Sequence, residues 1–217
     1  MMTLSDLTRC LNFAAPQRPQ RTALPRLILM TDEKRLPDPL PAIDSLPAGS
    51  AVIFRHYDTP GRAALAQEVV NHARARRVRV LVAADPRLAV KVGADGLHLP
   101  EAMAQRGPGA WRTWFPERGE DGGRDGAGWL ITAAAHSPAA LRRADAAGAN
   151  AVLLSPVFPT ESHPDAAYLG NLRFRILCAS SRLPVYALGG VTKATARRLK
   201  DSDAAGLAGI SFIYGQH

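Results

Sequence analysis

The stretch Pro184-Val185-Tyr186-Ala187-Leu188-Gly189-Gly190-Val191-Thr192, followed by Gly206-Leu207-Ala208-Gly209-Ile210-Ser211-Phe212-Ile213, decides the fold. An apolar run of strand length ends in two glycines, Thr192 stands where its hydroxyl caps a following helix, and a second apolar run begins at a glycine. These read as strands seven and eight of a parallel barrel, and the loops after those two strands are where many such barrels hold a phosphate. Glycines let backbone N–H groups come close to an anion because no Cβ intervenes. Gly189 and Gly190 therefore imply a small phosphorylated ligand, with a simple tight turn as the plainer reading of the same pair.

Working outward from there, apolar runs fall at 27–30, 51–54, 78–83, 96–99, 129–133, 151–154, 185–188 and 208–212. Segments with helical spacing separate most of them, at 63–76, 86–92, 138–147 and 193–199. Alternation of strand and helix predicts a parallel sheet, and eight units predict an α/β fold of the (β/α)8 TIM-barrel type. A doubly wound open sheet is the alternative. The repeated steps Gly93-Ala94-Asp95-Gly96 and Gly148-Ala149-Asn150-Ala151, each a helix-ending glycine that leads into a strand, favour repeated barrel units.

The barrel is expected as a single domain over 25–217, preceded by an N-terminal helical extension at 1–24 in which Ser5 caps a face of Leu4, Leu7 and Leu11. Residues near 107–128, rich in Gly and charge, read as a flexible insertion. The chain stops at His217, a few residues past the eighth strand, so the last outer helix is expected to be truncated or missing. Either the N-terminal segment or a second copy in a homodimer would cover that flank.

Composition narrows the partners. The 27 Lys and Arg against 19 Asp and Glu give a net charge of +8, but the arginines are dispersed over Arg62, Arg74, Arg76, Arg77, Arg142, Arg143, Arg197 and Arg198, which read as solvated helix faces. No nucleic-acid module accompanies them, so no nucleic-acid partner is expected. Neither a membrane-length apolar run nor a signal peptide is found, which predicts a cytoplasmic protein without a membrane partner. Cys10 and Cys178 have neither disulfide nor metal-ligand spacing and read as reduced thiols.

In a barrel of this kind the C-terminal strand ends converge on one mouth. The polar candidates there are Thr31, Asp32, Arg55, His56, Asp85, His98, His136, Ser137, Ser155, Thr160, Ser162, His163, Gly189, Gly190 and Ser211. Arg55 ends an apolar strand, where a charge is unwelcome unless it faces the mouth and an anion. His136 follows three alanines and opens a helix, so its imidazole is the candidate acid/base; a cap or a packed ring is the competing reading. His98 lies in period-two register within a strand and reads as an interior hydrogen-bonder. The loop from Ser155 through Thr160, Ser162 and His163 offers hydroxyls to a phosphate. Asp85 is the one weak metal candidate, so no metal site is expected.

Met30-Thr31-Asp32, Val52-Ile53-Phe54-Arg55, Gly93-Ala94-Asp95-Gly96-Leu97-His98-Leu99, Ala135-His136-Ser137, Ser155-Pro156-Val157-Phe158-Pro159-Thr160 and Ala187-Leu188-Gly189-Gly190-Val191 together resemble the thiamine phosphate synthase and thiazole tautomerase (TenI-like) superfamily. The resemblance implies a (β/α)8 barrel in thiamine biosynthesis that binds a thiazole phosphate through the loops after its last two strands. The synthase branch looks for Gln-x-Arg-x-Lys where Ile53, Arg55 and Tyr57 stand, Asn-Asp where Ala84 and Asp85 stand, a carboxylate at Met103, a serine at Ala134, and Thr-x-Thr-Lys where Thr160, Ser162 and His163 stand. With those charges gone, the resemblance implies a tautomerase-type isomerase in which His136 is catalytic and Arg55, Asp85, Ser155, Thr160, Ser162, His163, Gly189, Gly190 and Ser211 bind substrate and phosphate. No cofactor is required on that reading. The alternatives are a thiamine-phosphate synthase, for which Mg would be needed, and a non-catalytic paralogue that binds the same kind of ligand.

Overall fold

In a computed structural model, which describes residues 24–114, 128–160 and 167–210, the strands close on themselves in sequence order. They are β1 (Leu27–Met30), β2 (Ala51–Phe54), β3 (Arg79–Ala83), β4 (Gly96–Leu99), β5 (Leu130–Ala135), β6 (Ala151–Leu154), β7 (Val185–Ala187) and β8 (Gly206–Gly209). Every neighbouring pair is parallel, and β8 returns to β1 through Leu207 beside Leu27, which closes the barrel. Outside it lie α1 (Leu40–Asp44), α2 (Arg62–Ala75), α3 (Pro86–Lys91), α4 (Glu101–Ala104), α5 (Pro138–Ala146), α6 (Gly170–Ser180) and α7 (Lys193–Ala196). The (β/α)8 architecture expected from the sequence is therefore present, and the open doubly wound sheet is not.

Alternation along each strand divides the core in two. Ile28, Met30, Ala51, Ile53, Leu81, Ala83, Leu130, Ala151, Leu153, Tyr186 and Ala208 form one buried cluster. Their strand neighbours, such as Leu29, Val52, Val82 and Leu154, form another together with the helix residues Val69, Leu141, Phe174 and Leu177. Since side chains alternate between the faces of a strand, the first set fills the barrel and the second glues helices to its outside. Tyr186 plugs the bottom of the barrel: its ring is fully buried and its O–H donates to the Pro25 carbonyl at 2.5 Å.

Several boundaries differ from the sequence reading. The eighth strand begins at Gly206 rather than at residue 208, because β8 must pass the Tyr186 ring: a Cβ at Gly206 would lie 2.7 Å from Tyr186 Cε1 and 2.5 Å from the Arg26 carbonyl oxygen. β5 runs on to Ala135, two residues beyond the expected end. Within the expected flexible insertion, Pro108–Ala110 and Arg112–Trp114 form two 3-10 turns, and Trp111 is buried at 7% exposure as part of the outer core. The rest of that insertion (115–127), the N-terminal extension through residue 23, and Ser162, His163 and Ser211 lie outside the described residues.

Candidate functional site

The same alternation that fills the barrel carries past the strand ends and decides which side chains face the mouth. Arg55 continues the inward series of Ala51 and Ile53, His136 that of Leu130, Thr132 and Ala134, and Ser155 that of Ala151 and Leu153. Because the strands are parallel, these residues stand at one end of the barrel.

Arg55 is positioned by its backbone. Thr31, fully buried at the end of β1, accepts the Arg55 N–H on Oγ1 at 2.9 Å and lies 2.9 Å from His56 Nδ1. The Pro37 carbonyl only accepts, so His56 Nε2–H donates to it at 3.3 Å, and in that tautomer the Thr31 hydroxyl donates to His56 Nδ1. The His56 ring stacks on Phe54 at 5.2 Å between centroids. Thr31 and His56, expected only as polar groups of the mouth, thus serve to set the direction in which Arg55 leaves the strand. The guanidinium reaches Asp32 at 3.4 Å and is about a quarter exposed, so one edge faces solvent. For Asp32, burial pushes the carboxyl up, but the Arg35 N–H, the Arg35 charge and the Lys34 N–H outweigh it and hold the pKa below the usual carboxylate range.

His136 stands exposed just beyond β5, before the α5 cap Ser137, whose side chain accepts the Ala140 N–H. Its Nδ1 is 2.9 Å from the Ser155 carbonyl oxygen and 3.2 Å from Ser155 Oγ. A carbonyl only accepts, so Nδ1 carries a proton and donates it there, which leaves Nε2 as the outward nitrogen. One ring nitrogen is thus held and the other is open, and Ser155, expected as a phosphate ligand, is also the residue that holds the imidazole.

His98 and Thr132 face each other inside the barrel, Nδ1 to Oγ1 at 2.9 Å, as expected for an interior hydrogen-bonder. Burial, with the Arg55 charge as a lesser contributor, pushes the His98 pKa from 6.5 down to about 3, so the ring is neutral at physiological pH.

Gly189 and Gly190 both have left-handed backbones, at φ +88° and +63°. Space as well as conformation demands glycine here: a Cβ at Gly190 would lie 2.2 Å from the Pro159 carbonyl oxygen, and one at Gly189 2.9 Å from Pro156 Cα. The β7 end and the β6–α6 loop are laced together by Val157 N–H to Leu188 O at 2.9 Å and Phe158 N–H to Gly189 O at 3.1 Å. The glycines therefore seat the loop that carries Thr160. Thr192 forms the expected cap, reciprocated by Thr195, which also donates to the Gly190 carbonyl at 2.8 Å.

Asp85 departs most from expectation. It is the N-cap of α3, with Oδ1 accepting the Leu88 N–H at 2.9 Å, and it follows Ala84, which is held at φ +62°. Left-handed backbone costs a residue with a Cβ about 1–2 kcal/mol, so this turn is strained where Asn or Gly would relieve it. Oδ2 is 3.1 Å from Nη1 of Arg62, whose Nη2 donates to the Ala83 carbonyl at 2.9 Å. Arg62 was expected on a solvated face; it is instead 19% exposed and part of the mouth. A signal for this exists in the sequence: Arg62 opens a helix, where a cation opposes the helix dipole and is kept only if something pairs with it.

These residues do not suit a divalent metal. Both oxygens of Asp85 are engaged, its charge is neutralised by the guanidinium beside it, Glu101 is paired with Arg143 at 2.6 Å, and no cluster of three His, Cys, Asp or Glu occurs among the described residues. Magnesium prefers several oxygen donors without an adjacent cation.

Comparison with known proteins agrees with the barrel and narrows the chemistry. The sequence pattern of the family described as thiamine monophosphate synthase matches residues 121–213. A protein of Aquifex aeolicus named "Putative thiamine-phosphate synthase 2" is 32% identical over 197 residues, covering 88% of this chain and 98% of that protein. The thiamine-phosphate synthase of Methanoculleus marisnigri is 33% identical over 174 residues, covering 78% and 77%. Among solved structures, a thiamine phosphate pyrophosphorylase from Pyrococcus furiosus shares the fold with a TM-score of 0.65 at 23% identity over 86% of each chain. No helix among the described residues is long and apolar enough to cross a membrane.

Proposed function

We propose that this chain, which belongs to the thiamine monophosphate synthase family, is a thiamine-biosynthesis transferase that couples a pyrimidine diphosphate to a thiazole phosphate at the barrel mouth and releases pyrophosphate. The names of its relatives favour coupling over the tautomerase expected from the sequence. The observation that carries the reading is the placement of Arg55, inward at the end of β2, its backbone held by buried Thr31 and one guanidinium edge open to solvent. That edge suits an anion. The N–H groups of Gly189 and Gly190 would take the thiazole phosphate, and His136 Nε2 would accept a substrate N–H or O–H and so orient it.

The test is steady-state coupling by wild type and Arg55→Gln, followed by pyrophosphate release. A charge-assisted hydrogen bond of about 1.5–3 kcal/mol implies a fall in kcat/KM of roughly 10- to 150-fold for the variant. Full activity in a folded Arg55→Gln protein would remove Arg55 from the site. Exchange of a thiazole proton with deuterium in the absence of the diphosphate, lost in His136→Ala, would instead restore the isomerase reading, and tight ligand binding with neither reaction would indicate a binding protein.

A further inference from the structure

The Arg62–Asp85 pair does what neither residue was expected to do, and its construction is unusual. The guanidinium bridges a carboxylate and the carbonyl at the end of β3, while its centre lies 5.9 Å from the Phe54 ring and 5.6 Å from the Tyr57 ring. Its Nε is buried without a hydrogen-bond partner. A buried unpaired donor is destabilising, and a cation in the first turn of α2 is opposed by the helix dipole as well. The fold thus accepts two penalties to keep a fixed positive charge against Asp85, the residue nearest to a metal-ligand role.

We infer that Arg62 takes the place of a divalent cation in this chain: it occupies Asp85, excludes a metal there, and puts a guanidinium where a metal would otherwise meet a diphosphate-type anion. Arg62 lies over the Tyr57 ring, and the phenol registers Arg55 at the end of β2 as well: burial pushes its pKa up while the charges of Arg55 and Arg62 pull it down. Two fixed guanidiniums can chelate the oxygens of a diphosphate as a metal would, without the reorganisation of a hydrated ion. Use of the charge for diphosphate rests on the transferase reading; exclusion of metal from Asp85 does not.

The experiment is a titration with Mn2+, followed by its electron paramagnetic resonance, on wild type, Arg62→Met, and Arg62→Met combined with Asp85→Asn. Methionine keeps the apolar stem against Phe54 and removes the charge; Arg62→Gln is the second variant should the first not fold. Wild type is expected to show no saturable Mn2+ site, the single variant to bind at least about tenfold more tightly, roughly the effect of 1.4 kcal/mol, and the double variant to lose that gain. In EDTA, inorganic pyrophosphate is expected to bind wild type and to weaken at least about tenfold in Arg62→Met, by the same conversion. A wild-type Mn2+ site as tight as that of Arg62→Met would overturn the inference, as would a folded Arg62 variant that gains none. Because the Mn2+ titration uses no substrate, a failure of the coupling reaction leaves its result intact; unchanged pyrophosphate binding in a variant that gains the metal would overturn the substrate half alone.

Discussion

Gly190→Ala is expected to lower the stability of the protein by about 2–5 kcal/mol, the sum of a left-handed alanine at about 1–2 kcal/mol and overpacking at about 1–3 kcal/mol. The clash is with backbone: the new Cβ would meet the carbonyl oxygens of Pro159 at 2.2 Å and Phe158 at 2.7 Å, atoms that cannot rotate away. The β6–α6 loop must therefore lift from the end of β7, breaking the Phe158 N–H to Gly189 O bond that holds it down. Since Thr160 rides on that loop and the proposed phosphate site is built from the same turn, phosphate affinity should fall at least as far as stability does. Urea unfolding and calorimetric titration of the variant with a thiazole phosphate check the two halves. A loss under about 1 kcal/mol, less than the overpacking range alone would give, would mean the loop is not seated on Gly190.

Acidification should destabilise the barrel from inside. The His98 pKa is pushed down by burial from 6.5 to about 3, so between those values the unfolded chain binds a proton that the folded chain refuses. Stability from this group is complete above 6.5 and falls as the pH drops toward 3, at about 1.4 kcal/mol per pH unit, reaching several kcal/mol in all. The sign is that of a neutral buried histidine, opposite to one stabilised as a cation. Urea unfolding of wild type at pH 6.5 and 5.0 should differ by about 2 kcal/mol from this source. His98→Asn, which keeps a hydrogen bond within reach of Thr132 and does not titrate, should remove most of that difference. Parallel losses in both proteins would place the acid sensitivity elsewhere.

Much of the architecture was legible because each barrel strand is a short apolar run bounded by polar or glycine residues. The expected strands at 27–30, 51–54, 96–99 and 151–154 coincide with those observed. The eighth run was bounded two residues late, at 208, although the deciding stretch opens at Gly206, where the Tyr186 ring demands a small residue. α6 was missed because Leu172 and Ile176 are exposed, so its apolar residues do not mark a single inward face. Arg55 and His136 stood out because each closes a run of apolar or small residues, a local property. Ser155 as the partner of the imidazole, Thr31 as the anchor of Arg55, and Arg62 as the partner of Asp85 did not, because each pairing joins residues 19–24 positions apart across neighbouring parallel units. Composition pointed the wrong way for Arg62, which one sequence among many arginines could not separate from a solvated face.

Phosphorus NMR of the wild-type protein with a pyrimidine diphosphate, before and after addition of a thiazole phosphate, tests the central claim most directly. The expected result is conversion of the diphosphate signals to free pyrophosphate only when both substrates are present. Diphosphate signals that persist unchanged with both substrates and a folded protein would contradict it.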